Sequence, residues 1–278
     1  MTRDNVTEVI RYYNKMESRL GYEVFLHGTK HFGLYRPGDS AWNWAAALRR
    51  MEDRLAQELA LPRGSLVLDA GCGVGDVADH LAGEYGLKVT GIDILDFNIK
   101  LAKQRAVRRD LQGMVSFQNM SYADLRFADQ SFDGVYTVET LVHAADADAV
   151  LEAFHRVLRS DGRLVMLEYS HTSESSLPKR ASDAFRKVNE VAAMPSFQRF
   201  EHGLLEQLIQ KAGFSSVTVQ DITRQMLPMV KCFDLLARLP YAVARALHQE
   251  EKLINGMSAV EFWRYRDYFR YNIYTAIK

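Results

Sequence analysis

Apolar and polar positions recur along this chain with two different periods. Between residues 65 and 170, short apolar runs at 66–70, 89–93, 115–117, 132–137 and 164–168 alternate with segments of helical period such as 149–158. Near-continuous apolar strands separated by amphipathic helices predict a parallel sheet covered on both faces. Its crossovers are right-handed, and ligands collect at the carboxyl ends of its strands. Ahead of this region, Asp4 or Asn5 caps a helix predicted to run to about residue 20. An aromatic, glycine-punctuated stretch follows over 22–38. A second helix is predicted over 40–61, where Trp44, Leu48, Met51 and Leu55 fall at helical spacing. After Tyr169 the alternation is interrupted. Residues 171–200 read as a helical insertion, 201–212 as a helix stopped by Gly213, and 217–222 as a sixth strand. Residues 224–268 read as a second helical insertion, and 271–277 as a closing strand.

The expected organisation is therefore an N-terminal cap segment (1–62), a core (63–170), a cap insertion (171–200), a return to the core (201–223), a second cap insertion (224–268) and a final core strand (269–278). The insertions and the first forty residues are expected to cover the ligand edge of the sheet.

Composition narrows the function. With 278 residues, 47% of them hydrophobic, the chain can bury one substantial core, or one core and a cap. Lys+Arg and Asp+Glu both total 35, so no basic excess points to a nucleic-acid partner. Cys72 and Cys232 form neither a disulfide framework nor a metal-ligand spacing, which predicts a reducing, cytoplasmic setting and no metal. No signal-like or membrane-spanning apolar run is present.

The strongest chemical signal is Asp69-Ala70-Gly71-Cys72-Gly73-Val74-Gly75, where a strand ends in alternating glycines and a helix begins near Asp76. Glycines let the backbone approach a ligand closely. Asp93 closes the second strand, where a carboxylate can accept both hydroxyls of a ribose. Nicotinamide enzymes use G-x-G-x-x-G around a pyrophosphate; the G-x-G-x-G spacing behind Asp69 suits a cationic ligand better.

These segments, with Gly91-Ile92-Asp93, residues 127–133 and residues 154–164, resemble the class I S-adenosylmethionine-dependent methyltransferases. The resemblance implies an α/β fold: a doubly wound, Rossmann-like, mostly parallel seven-stranded sheet with helical cap insertions. It implies S-adenosyl-L-methionine as cofactor. Gly71 and Gly73 would approach the methionine part, Asp93 would hold the ribose and Ile94 would pack on the adenine. Asp69, Gly75, Asn98, Thr137 and Val138 are assigned to the same site. The acidic residue that the family often places near the adenine amino group is replaced here by Met120-Ser121-Tyr122. That contact is left to Ser121, to Tyr122, or to nearby Asn119 or Asp124.

Residues 138–144, with Glu139 and His143 at the end of the fourth strand, resemble the sterol and tocopherol methyltransferases more narrowly. Bacterial enzymes that methylate prenyl chains share this style. The resemblance implies a hydrophobic small-molecule substrate and C-methylation of an isoprenoid alkene through a carbocation. O- or N-methylation of a secondary metabolite is the alternative. Aromatic faces stabilise a cation by about 0.5–2 kcal/mol each, and a carboxylate or imidazole can remove the proton. Glu139, His143, Glu168 and Tyr22 are the candidate catalytic residues. Phe25, His31, Tyr35, Tyr169, His171, Phe197 and Phe200 are the candidate substrate contacts. The apolar cap helices also predict a homo-oligomer.

Overall fold

The computed structural model describes residues 3–13 and 31–278. Seven strands form one sheet: β1 (Leu66–Ala70), β2 (Lys88–Asp93), β3 (Val115–Asn119), β4 (Phe132–Val138), β5 (Leu158–His171), β6 (Ser215–Asp221) and β7 (Phe269–Ile277). Their order is β3-β2-β1-β4-β5-β7-β6. All neighbours are parallel except β7, which runs antiparallel to β5 and β6. The α/β class and the strand count agree with expectation. After β3 the chain crosses to the other side of β1 to place β4, so the crevice opens above the ends of β1 and β4.

The fifth strand is much longer than the apolar run at 164–168 implies. It starts at Leu158, directly after its helix, and shifts register against β4 between Phe132 and Gly134. Asp161 takes a left-handed φ of 62° there. The polar residues of this irregular segment hide it from a reading based on apolar runs.

One face of the sheet is covered by α2 (Trp44–Leu59), α3 (Asp76–Tyr85), α4 (Asp96–Arg108) and the start of α8 (Thr223–Ala246). The other is covered by α5 (Ala147–Val157), α6 (Lys179–Val191) and α7 (Leu204–Lys211). Met51 and Leu55 from α2 are fully buried, as their spacing predicts, and so is Leu59. This helix begins later than residue 40 because the Asn43 side chain accepts from the Ala46 N–H, and it stops where Ala60 turns left-handed. In α5 the Asp146 carboxylate caps in the same way, accepting from Ala149.

A further helical layer lies over the sheet. Tyr12 on α1 (Arg3–Tyr13) packs with Ala184 of α6, Tyr241 of α8, and Ile254, Met257 and Val260 of α9 (Ile254–Arg264). The Tyr12 hydroxyl donates to Asn255 Oδ1 at 2.7 Å, tying α1 to α9.

Candidate functional site

The glycine turn after β1 assigns a different task to each glycine. The N–H groups of Gly71 and Cys72 both donate to the Ile92 carbonyl at 2.9 Å, joining the turn to the end of β2. Gly71 has φ +99°, and a Cβ there would lie 2.6 Å from Thr140 Cγ2. Gly73 (φ +52°) faces open space instead. Gly75 was expected at the cofactor, but it turns away from the cavity. It caps α3, and a Cβ there would press on Phe117 at 2.8 Å, so its smallness serves helix–sheet packing.

Asp93 binds this turn to the next helix. Its Oδ2 accepts from Gly73 N–H at 3.0 Å, and its Oδ1 accepts from Leu95 N–H at 2.8 Å and Asn98 Nδ2 at 3.3 Å. The carboxylate thus lines an open cavity. Gly71, Gly73, Asp93, Ile94, Asn98, Tyr122 and Val138 all line that cavity. Thr137 does not: it is fully buried on β4, a central strand covered on both faces. Ser121 is also off the lining; its Oγ accepts from the Ala123 N–H, and Met120 and Tyr122 flank it at the cavity wall.

The charge of this cavity favours a cation. Asp69, Asp76, Asp93 and Glu139 line it, and no lysine or arginine does among the described residues. Asp76 occupies the start of α3, where a dinucleotide fold would hold pyrophosphate, and is paired with Arg105 and with Arg109 at 3.0 Å. A sulfonium and an ammonium suit such a wall; a pyrophosphate does not. The open backbone at Gly73 and the carboxylate of Asp93 fit S-adenosylmethionine. Asp69 meets this site in part only, since its Oδ2 accepts from the buried Tyr136 hydroxyl at 2.8 Å. Burial pushes its carboxyl up to about 7; the Tyr136 hydrogen bond opposes this and the charge of Asp93 adds to it.

Beyond β4, Glu139 takes a left-handed φ of 56°, a strained backbone for a non-glycine residue. Its Oε1 accepts from Phe32 N–H at 2.8 Å and Tyr271 hydroxyl at 2.7 Å, and its Oε2 accepts from the Tyr169 hydroxyl. Burial pushes the Glu139 carboxyl up, and these three donors oppose it. Phe32, Tyr169 and Tyr271 pack edge-on or tilted, with ring centres 5.4–6.2 Å apart. None of the three is on the cavity lining, so Tyr169, expected to contact substrate, holds Glu139 from behind instead. Tyr271 escaped the sequence reading, being one of three aromatics on the closing strand with no local mark of its own. Phe32 stands in the aromatic stretch singled out over 22–38, but it reaches Glu139 through its backbone rather than its ring.

His143 also lines the cavity, and its Nδ1–H donates to the Ala193 carbonyl at 2.9 Å. In the neutral ring this bond leaves the lone pair on Nε2. His31 lines the cavity beside Glu139. Its Nδ1 meets the Phe32 carbonyl at 2.9 Å and its Nε2 faces buried Glu52 at 3.5 Å. Burial alone would lower His31; Glu52, with the Phe32 carbonyl and the charge of Glu139, outweighs it and holds the imidazole above its ordinary value.

Other expected contacts lie elsewhere. Glu168 is fully buried off the cavity, where its oxygens accept from Val142 N–H at 3.3 Å and Tyr169 N–H at 3.1 Å. It holds the segment after β4 rather than facing a ligand. His171 is fully buried with its ring nitrogens against the carbonyls of Thr172 (2.6 Å) and Phe197 (2.9 Å), a clamp rather than a base at the cavity. Tyr35 packs with Ala47, Leu48 and Met229, its hydroxyl donating to the Ala41 carbonyl. Phe200 is fully buried in the core, and Phe197 backs the Tyr169 ring at 5.7 Å. Tyr22 and Phe25 lie outside the described residues.

Comparisons agree with this geometry. Residues 68–166 match the family model described as a methyltransferase domain. The chain is 34% identical over 273 residues to the S-adenosyl-L-methionine-dependent Diels-Alderase iccD of Talaromyces variabilis, covering 96% of this chain and 93% of that one. It is 27% identical over 271 residues to the sterol 24-C-methyltransferase erg-4 of Neurospora crassa, covering 93% and 69%. Its fold matches a geranyl diphosphate methyltransferase solved with GPP and sinefungin, with a TM-score of 0.75, 18% identity and 99% of both chains covered. A cationic-cofactor cavity at the β1–β4 crevice and a full-length relative at this identity lead to one assignment: the chain is an enzyme of the class I S-adenosyl-L-methionine-dependent methyltransferases.

Proposed function

We propose that this enzyme holds S-adenosylmethionine beside an apolar, unsaturated small molecule and promotes a [4+2] cycloaddition within that molecule. The observation that carries the reading is the state of Glu139. An ionised carboxylate offers about four acceptor positions, and Phe32, Tyr169 and Tyr271 already fill three of them. The acid best placed to remove a proton is thus committed to three donors packed behind it. A cycloaddition needs no proton removed: a diene and an alkene form two carbon–carbon bonds, and the product is an isomer of the substrate. Such a reaction asks for a shaped apolar surface that orients the two ends of one chain. The full-length match to the Diels-Alderase of Talaromyces variabilis supports this reading. When bound, the cofactor supplies a sulfonium, as a fixed positive charge or as a methyl donor.

A second reading, methyl transfer to an alkene carbon of an isoprenoid or prenylated compound, is favoured by His143. Its Nδ1–H bond to Ala193 orients the ring at the cavity wall with the basic nitrogen at Nε2. Tyr122 and the Glu139 carboxylate on the cavity lining would then face the cation while His143 takes the proton. Methylation of an oxygen or nitrogen would use the same base.

One incubation separates the readings. The enzyme is given methyl-labelled S-adenosylmethionine with linear conjugated polyenes, prenyl diphosphates, sterols and phenols, and products are read by mass. The expected product is an unlabelled isomer of a polyene, formed without cofactor consumption. A labelled product would overturn the cycloaddition and establish methyl transfer, on carbon or on a heteroatom according to where the label sits.

A further inference from the structure

We propose that the exposed face of the C-terminal half of α8 docks on an anionic phospholipid bilayer. The inference concerns a surface apart from the cofactor cavity and holds whichever reaction occurs there. Leu235, Leu239, Val243 and Leu247 follow at every fourth residue and are 60%, 74%, 53% and 61% exposed. That spacing sets them on one side of the helix, as a ridge about 18 Å long. Leu236 widens it. A single exposed leucine needs no explanation, but a continuous row marks a contact surface. On the opposite side Tyr241 and Ala244 are buried, Tyr241 within the helical layer, so the ridge faces outward.

Arginines lie along one flank. A groove between α6, α8 and α9 carries Arg180, Arg238, Arg245 and Arg264. Two carboxylates meet them: Glu261 pairs with Arg180 at 2.6 Å and with Arg264 at 3.2 Å, and Asp234 pairs with Arg238. Arg245 has no ion-pair partner among the described residues. The groove therefore keeps a positive excess.

An apolar ridge beside guanidinium groups matches the boundary between acyl chains and phosphate headgroups. The leucines enter the former, and the guanidiniums bind phosphate oxygens. No described helix is long and apolar enough to cross a membrane, so the contact lies in the plane of the surface. Charge argues against a second copy of the chain as the occupant. Its ridge and groove would offer the same apolar row and the same positive excess, leaving the arginines unmatched.

The test is flotation of the full chain with vesicles of phosphatidylcholine, and of phosphatidylcholine mixed with phosphatidylglycerol, at low and high salt. The wild type is expected to float with the mixed vesicles and to be released by salt. Leu239→Glu with Val243→Glu, and separately Arg245→Glu, should each lower the bound fraction about tenfold. These side chains are exposed, so Tm and affinity for S-adenosylhomocysteine should not change. The proposal is overturned if the wild type ignores both vesicles, binds both equally, or is unaffected by these substitutions. It is also overturned if sedimentation velocity shows a dimer that Leu239→Glu abolishes while vesicles are not bound.

Discussion

Glu139 depends on three residues drawn from distant parts of the chain: the Phe32 backbone before α2, Tyr169 on β5 and Tyr271 on β7. The hydroxyl of Tyr271 has no water to replace it, since the residue is fully buried. Tyr271→Phe keeps the ring and removes one hydrogen bond to a charged group, a loss of about 1.5–3 kcal/mol. We expect turnover to fall at least tenfold while affinity for S-adenosylhomocysteine, measured by calorimetry, stays within twofold. Removing a donor also raises the Glu139 carboxyl further, so the acid limb of the pH–rate profile should move to higher pH. An unmoved profile would make Tyr271 a packing residue only. The position of Glu139 at a strand end was legible in the sequence, because an apolar strand followed by a polar residue marks the ligand edge. Its partners were not, because hydrogen bonds over separations of 107 and 132 residues leave no local pattern.

At the scale of the element, the glycine turn separates packing from binding. Gly71→Ala places a methyl against Thr140 at a φ that side chains avoid. It should destabilise the fold by about 2–4 kcal/mol, read by denaturant unfolding. Gly73→Ala meets no protein atom, so stability should fall by only about 1 kcal/mol. Its methyl would intrude on the cavity, and cofactor affinity should drop about tenfold or more. Equal effects of the two substitutions on stability would contradict this division. The turn as a unit was visible from its spacing. Which glycine is hemmed in by packing was not, because that depends on Thr140 arriving from the segment after β4 and Phe117 from β3.

Across the whole molecule, buried carboxyls set the response to pH. Burial pushes Asp69 up to about 7 from 3.8. Burial likewise pushes Glu168 up to about 8 from 4.5, the charge of Glu139 adding to it against the Tyr169 and Val142 N–H bonds. The folded chain therefore keeps protons that the unfolded chain releases above 3.8 at Asp69 and above 4.5 at Glu168. Stability from each group is full below its unfolded value and is lost as pH rises through its folded one, towards 8. His31 acts in the same sense: held above 6.5, it contributes below that pH and its contribution fades as pH passes its folded value. Without cofactor, Tm should fall by about 5 °C or more between about pH 5 and pH 8, and Glu168→Gln should flatten the slope. A Tm that rises over this range would mean these carboxyls are ionised in the fold.

By itself the sequence determined the α/β class, the alternation of strand and helix, the glycine turn with Asp93, and the cation-binding character of the cofactor cavity. All of these rest on local features: apolar period, glycine spacing and the residue that ends a strand. The tertiary structure alone decided which of the candidate residues face the cavity. It drew Phe32, Tyr169 and Tyr271 onto Glu139, turned Glu168, His171 and Thr137 inward, and left the α8 ridge facing solvent. Burial is a property of assembled layers, and a side chain's alternation along its own strand says which face it takes but not what will cover that face.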